Sequence, residues 1–174
     1  MELTAEGITL RPFEERDVSA IARAAQDEDL HRFIPELPFP YTEGDAAAYV
    51  TATRSWDERE RLARAVVDAA SGELLGSIDV RLGEVGSIGY WVAPWARGRG
   101  VATSALRALS RWALTSAGVE RLELTTHPGN LASQRVAEKA GFQREGTLRG
   151  QVRFREGRRD SVIFSLLPED LTAS

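Results

Sequence analysis

Ile8, Leu10 and Pro12 alternate around Arg11, which predicts a short first strand, and the charged run Glu14 to Asp17 leads into a helix for which Asp17 can serve as N-cap. Val18, Ile21, Ala22 and Ala25 recur at helical spacing. Residues 28 to 41 carry Pro35, Pro38 and Pro40 and read as an irregular loop. Thr42-Glu43-Gly44-Asp45 has the form of a capping box ahead of a second helix over Ala46 to Trp56. From Leu62 the pattern changes: Ala63, Ala65 and Val67, then Leu74, Leu75, Ile78, Val80 and Leu82, are split by Ser71-Gly72 as a hairpin would be. Gly83 to Gly86 read as a turn and Ile88 to Val92 as another strand, halted by Pro94. Val101, Ala105, Leu109, Trp112 and Ala113 share one face of a helix of about 16 residues that Gly118 closes. Leu122, Leu124 and Thr126 alternate as a strand, and Asn130 caps a short helix through Val136, Ala137 and Ala140 that stops at Gly141. Val152, Phe154, Val162, Phe164 and Leu166 place two last strands around Glu156-Gly157. The order β, α, α, β, β, β, α, β, α, β, β is that of an α/β (α+β) chain.

Composition narrows the functional classes. At 174 residues and 43% hydrophobic, residues 1–174 are expected to form a single domain with a full core. Zero cysteines exclude disulfides, thiolate metal sites and a Cys nucleophile, and no His/Asp/Glu spacing suggests a metal. A net charge of −4 argues against nucleic acid. Glu2 and Glu6 follow Met1 where a secretory leader would be basic, and no stretch is apolar enough to span a membrane, so the expected location is the cytoplasm, without a membrane partner. Lys139 is the sole lysine, and the arginines are spread over every candidate surface.

Chemistry concentrates where a strand hands over to the long helix, at Arg97-Gly98-Arg99-Gly100-Val101-Ala102-Thr103. Unpaired amides and the positive end of the helix dipole converge at such a place, and the glycines let backbone approach an anion. The same residues also read as a glycine-rich turn with two solvated arginines. A dinucleotide fingerprint would need a third glycine where Thr103 stands, and a P-loop would need Gly-Lys-Ser/Thr.

Arg97, Gly100 and Ala102 fit Gln/Arg-x-x-Gly-x-Gly/Ala in register, so the run from Ile88 to Thr103 resembles the acetyl-CoA signature of the GNAT superfamily. A second block, Asn130 to Ser133 with Val136, Glu138-Lys139, Gly141-Phe142 and Glu145-Gly146, resembles the RimJ/RimL branch of protein N-terminal and antibiotic acetyltransferases. Leu10-Arg11-Pro12, Asp17 and Pro40-Tyr41-Thr42 are similar to the same branch, so the likeness runs over residues 8 to 167. It implies a mixed, mostly antiparallel sheet of about six to seven strands with about four helices, whose central strands splay after Val92 to admit the pantetheine arm.

The resemblance also implies roles. Acetyl-CoA would be the co-substrate, contacted by Tyr90, Trp91, Val92, Arg97, Gly98, Arg99, Gly100, Val101, Ala102, Thr103, Asn130 and Ser133. The amide near Val92 would bond the thioester carbonyl, and Ser133 would protonate the departing thiolate, with Tyr90 and Tyr41 as weaker alternatives. A base is harder to place. The usual strand glutamate is replaced near Ser87, and the RimL-type glutamate falls at Val152, leaving Glu84 as the candidate base, with Glu36, Glu123 or a water chain as alternatives. His127 and His31 stand near the expected cleft, and Arg149, Arg153 and Arg155 share a face of the last hairpin if no bulge intervenes, beside Arg158 and Arg159. The acceptor, a small amine or a protein N-terminus, would lie between residues 31–41 and that hairpin, on a monomer or on a homodimer supported by Trp91 or Trp95. The alternatives are a non-catalytic acyl-CoA-binding module and a nucleotide-binding regulator.

Overall fold

Runs of apolar residues buried on both faces in the central strands and alternating burial toward the β7 edge lay down eight strands, and the computed structural model describes residues 1–35, 37–154 and 156–172. In chain order the elements are β1 (Leu3–Ala5), β2 (Ile8–Arg11), α1 (Val18–Ala24), α2 (Glu28–Phe33), α3 (Glu43–Ser55), β3 (Arg61–Asp68) and β4 (Leu74–Arg81). They continue with β5 (Val85–Val92), α4 (Val101–Ser116), β6 (Arg121–Thr126), α5 (Leu131–Lys139), β7 (Gln143–Phe154) and β8 (Gly157–Leu166). The strands lie in the order β1-β2-β3-β4-β5-β6-β8-β7, and every neighbouring pair is antiparallel except β5 and β6. Among the described residues this is one strand and one α-helix more than expected.

Each face of the sheet buries its own cluster. Leu62, Val66, Ile78, Val80, Ile88, Leu122 and Phe164 pack with Val101, Ala105, Leu106 and Leu109 of α4. On the other face Ala63, Ala65, Val67 and Leu74 pack with Ile21 and Ala22 of α1 and Ala46 and Val50 of α3. Such a two-sided sheet needs helices on both faces to exclude water.

Local chemistry sets most boundaries where they were expected. Thr42 Oγ1 accepts from the Asp45 amide (3.2 Å) while Thr42 N–H donates to Asp45 Oδ2 (2.8 Å), completing the capping box of α3. Three expectations need correction. Asp17 does not cap α1 with its side chain; it is buried against Arg11 in a bidentate pair (2.8 Å each) and accepts from the Glu14 amide. Residues 28–33 form α2 rather than loop, because Asp27 caps the helix by accepting from Leu30 N–H (3.2 Å) and the prolines begin only at Pro35. β5 starts at Val85, inside the expected turn.

The central opening lies earlier than expected. β5 and β6 pair only at Val85↔Arg121, Gly86↔Leu122 and Ser87↔Glu123. Beyond Ser87, β4 keeps hold of β5 as far as Val92, whereas β8 holds β6 as far as Thr126. The two strands, tied to different neighbours, diverge into a wedge. A bulge at Leu75, where Val66 pairs with Gly76 but Val67 with Leu74, lies on β4 level with the end of β5.

Candidate active site

The wedge and the turn beyond it form one continuous feature. Ala93 N–H donates to Leu75 O (2.8 Å), which anchors the end of β5 and fixes the phase of its ladder with β4. Residues directly opposite in an antiparallel pair alternate between bonded and non-bonded, so Trp91 and Gly89 bond β4 while Val92, Tyr90 and Ile88 direct their amides away from it. Past Ser87 no β6 residue pairs with that edge, and the Val92 amide faces the opening.

After Pro94–Ala96, Gly98 (φ 73°) and Gly100 (φ 79°) take left-handed conformations that a Cβ would strain. Gly100 caps α4 without a side-chain bond. Ser104 N–H reaches Gly100 O (3.0 Å), which leaves the amides of Val101, Ala102 and Thr103 ahead of the helical ladder at the positive end of a 16-residue dipole. The flanking arginines are paired already. Arg97 meets Asp27 (2.5 and 3.2 Å) and Asp29 (3.5 Å), holding the Asp27 carboxyl below its ordinary range, and Arg99 lies 3.5 Å from Asp68.

Across the wedge, the Tyr90 hydroxyl lies 2.9 Å from Ser133 Oγ, bridging β5 to α5. Burial pushes the Tyr90 phenol up to about 12, against the opposing effect of the Ser133 bond, so it stays protonated at neutral pH. Asn130 caps α5 by accepting from Ser133 N–H (3.1 Å), which holds the serine in the first turn. Tyr41, by contrast, is packed into the α1/α3 cluster and supplies its carbonyl to Gln26 (2.9 Å). Trp91 is half-buried between both clusters, and Trp95, also half-buried, donates its indole N–H to Leu74 O (3.0 Å) beneath Arg23.

The carboxylates chosen as bases are not brought together with these groups. Glu84 is exposed at the paired end of β5, roughly 25 Å by strand rise from Val92. Glu123 is tied to Arg121 (2.9 Å), whose other nitrogens hold Glu145, and Glu36 lies outside the described residues. Val152 pairs with Arg159 in the hairpin. A register shift between Leu148 and Val152 interrupts the alternation expected of Arg149 and Arg153, and Arg155 lies outside the described residues. Arg158 donates to the carbonyls of Gly150 and Gln151, and Arg159 pairs with Glu156.

Between α2 and the β7–β8 hairpin lies a cavity of about 290 Å³, lined by His31, Ile34, Leu37, Phe39, Phe154 and Arg159 among others. His31 Nε2 is 2.7 Å from Ala25 O, a structural bond. His127 sits between Phe33 (5.7 Å) and Phe154 (6.3 Å), and burial, aided by Arg159 and Arg32, lowers its pKa so that it is neutral at pH 7.

Two polar groups on the α3 face escaped the sequence reading. Asp79 of β4 lies opposite Gly89 and pairs through Oδ2 with Arg61 (3.0 and 3.2 Å), which in turn stacks on Trp56. Burial raises its carboxyl above the ordinary value, against the lowering effect of Arg61. Tyr49 of α3 lies 3.2 Å from Ser77 Oγ, and Ser77 is paired with Trp91. The available signal was a carboxylate inside an otherwise uncharged stretch of strand, Leu74 to Val80. Among the described residues no cluster of three His, Cys, Asp or Glu groups could hold a metal.

Comparison with known proteins gives this arrangement a context. Residues 8–143 match the model of the acetyltransferase (GNAT) domain. The chain is 28% identical to the uncharacterised N-acetyltransferase YnaD of Bacillus subtilis over 98% of its own length and 99% of that protein's. Its structure resembles a GNAT-family acetyltransferase from Bacillus anthracis, with a TM-score of 0.87 and 27% identity, covering 97% of this chain and 99% of that one. It also shares the fold of Mycobacterium smegmatis RimJ, solved in complex with CoA-disulfide, with a TM-score of 0.84 and 24% identity over 98% of this chain and 88% of that one.

Proposed function

Since the chain belongs to the GNAT acetyltransferase family and is an acetyl-CoA-dependent N-acetyltransferase, we propose that it moves the acetyl group onto the primary amine of a small molecule or a protein N-terminus, by direct attack in a ternary complex. The reading rests on the Val92 amide facing the wedge with the Tyr90–Ser133 pair across it. In this reading the amides of Gly98 to Thr103 grip the coenzyme diphosphate, a task suited to the ladder-free start of α4. Arg97 and Arg99 exchange Asp27 and Asp68 for phosphate oxygens when the coenzyme arrives. The pantetheine arm lies along β5 past Tyr90 and Trp91.

The thioester carbonyl then accepts a hydrogen bond from the Val92 amide, which stabilises the oxyanion as the amine adds. Ser133 Oγ, polarised by Tyr90 and oriented by Asn130, gives the thiolate its proton. The acceptor enters from the cavity between α2 and the last hairpin. We further propose that residues 1–174 work as one unit in the cytoplasm; among the described residues no helix is long and apolar enough to cross a membrane.

The test is acceptor-dependent thiol release from acetyl-CoA over a panel of short peptides with free N-termini and of primary amines such as tyramine and spermidine. Release that saturates with acetyl-CoA and one of these amines is the expected result. Saturable coenzyme binding without release for any amine would favour a non-catalytic acyl-CoA-binding module. A preference for ATP or NAD in thermal shift would abandon the coenzyme assignment altogether.

A further inference from the structure

The wedge supplies an oxyanion donor and a proton donor, but neither Tyr90 nor Ser133 can take the proton that the attacking amine must lose. Its β5 wall has a second face, which points toward α3 and carries Ser87, Gly89 and Trp91 in alternation. Ser87 places no carboxylate there. Gly89 has no side chain, and the space a Cβ would take at this position adjoins Asp79 Oδ1 at 3.5 Å. The carboxylate that this face lacks on β5 is therefore supplied by the neighbouring strand.

We infer that Asp79 is the proton acceptor of the reaction, positioned by Arg61 and linked to the amine through water along Ser77 and Tyr49. The inference rests on the transferase reading above. Three features carry it. Asp79 is split in function by its geometry: Oδ2 is engaged by Arg61, whereas Oδ1 is turned toward Gly89. Ser77 lies between Asp79 and the reaction level, because it pairs with Trp91 while the adjacent Gly76 pairs with Val92. Its hydroxyl is buried and bonded to the Tyr49 hydroxyl, so two groups that can both donate and accept stand in the gap of about 10 Å between Asp79 and Val92. A gap of that size calls for bridging water, so Asp79 acts at one remove from the substrate.

The electrostatics agree with a base. Arg61 on β3 and Arg81 on the strand of Asp79 itself stabilise the carboxylate, while burial acts against it and prevails. From α3 the facing group is the neutral Tyr49 phenol, whose own pKa is raised by burial. Beyond Ser87, Glu123 of β6 is occupied with Arg121. A carboxyl with its pKa above the ordinary range is, when ionised, a better base than a solvated one. The balance is simple. The neutral amine nitrogen bonds the carbonyl carbon and its proton passes through water to Asp79; the C–S bond breaks, the thiolate takes the proton of Ser133, and the proton held by Asp79 returns through water to the Ser133 oxygen, so both side chains end as they began.

The experiment follows the pH dependence of kcat/KM for the best amine of the panel. Below the amine's own pKa, log kcat/KM of the wild type should rise with a slope of about 1, steepening to about 2 below the pKa of Asp79. Asp79→Asn should lose roughly 10²-fold at neutral pH, keep wild-type coenzyme affinity, and show a slope of about 1 throughout. Asp79→Glu should restore the steeper limb. Arg61→Gln removes the interaction that lowers the Asp79 pKa and should move the break to higher pH. A merely structural role would lower the profiles without changing their shape. A folded Asp79→Asn with an unchanged slope, or an active Arg61→Gln with an unmoved break, overturns the assignment while leaving the transferase standing; a wild type that releases no thiol with any amine takes both readings with it.

Discussion

Gly76→Ala offers a direct test of whether the geometry at the end of β5 controls turnover. A Cβ at Gly76 would stand 3.1 Å from Val92 Cα and 3.3 Å from Trp91 C, and closer still to Trp91 O. These are backbone atoms of the facing strand, so no side chain can swing away. Relieving the overlap requires β5 to move by roughly 1 Å away from β4, a change of the kind that costs about 1–3 kcal/mol in a packed interior. The bond from Ala93 N–H to Leu75 O, now 2.8 Å, would stretch past useful length. The same shift displaces the Val92 amide relative to the coenzyme, and a misplacement of about 1 Å at a reacting centre costs on the order of 10²-fold in rate. Urea unfolding and thiol-release kinetics read the two effects separately. Gly89→Ala is the comparison for stability, since its Cβ meets only Asp79 Oδ1 at an ordinary 3.5 Å and nothing in the backbone. A Gly76→Ala variant with wild-type stability and kcat within about threefold of wild type would refute the argument that this strand pair sets the position of the amide.

Other outcomes follow from the same structure. Ser133→Ala should slow thiol release by about 10- to 100-fold and Tyr90→Phe by less, with the double variant little worse than Ser133→Ala, because the two hydroxyls act as one hydrogen-bonded unit; steady-state kcat for all three checks this. Asp17→Ala strands the buried Arg11 cation and should cost about 3–5 kcal/mol in urea unfolding. Arg121 and the Ser165 hydroxyl hold the Glu145 carboxyl down at about 2 from an ordinary 4.5. Because the folded-state value is depressed, its contribution to stability is present above pH 4.5 and is lost as the pH falls toward 2. Melting curves of wild type and Glu145→Gln should therefore differ at neutral pH and converge across that interval.

The elements read most accurately from sequence are those whose boundaries are local chemistry. The Thr42–Asp45 capping box, the Ser71-Gly72 hairpin and the apolar stripe of α4 each contain their own instructions within a few residues. α2 was hidden because three prolines drew attention from the seven residues before them, and β1 because three residues carry too little pattern. The site depends on distances that no local pattern encodes. Arg97 meets Asp27 from 70 positions away and Arg99 meets Asp68 from 31 away, so two arginines that looked like free anion donors are paired. Glu84 was one of three substitutes with nothing in the sequence to rank them, and strand rise carries it to the paired end of β5, away from Val92. Asp79 became visible only when register set it against Gly89.

The wedge itself is a departure from what a sheet would do by default. Closing β5 onto β6 from Ile88 to Val92 would satisfy the backbone groups on that edge, and an open edge inside a sheet is otherwise unfavourable. Three features oppose closure here. β8 ties β6 in its own direction through Thr126↔Val162; the Ala93–Leu75 bond, beside the bulge at Leu75, holds the far end of β5 to β4; and the Tyr90–Ser133 contact braces β5 against α5 across the gap. Local disorder of the pattern would remove one such feature, not supply three along the same opening. A cavity maintained against the sheet's own hydrogen bonding is best understood as a seat for a ligand that supplies the missing partners. An amide carbonyl chain such as a pantetheine arm has the length and the alternating polar groups to pair with the free edge of β5 as another strand would.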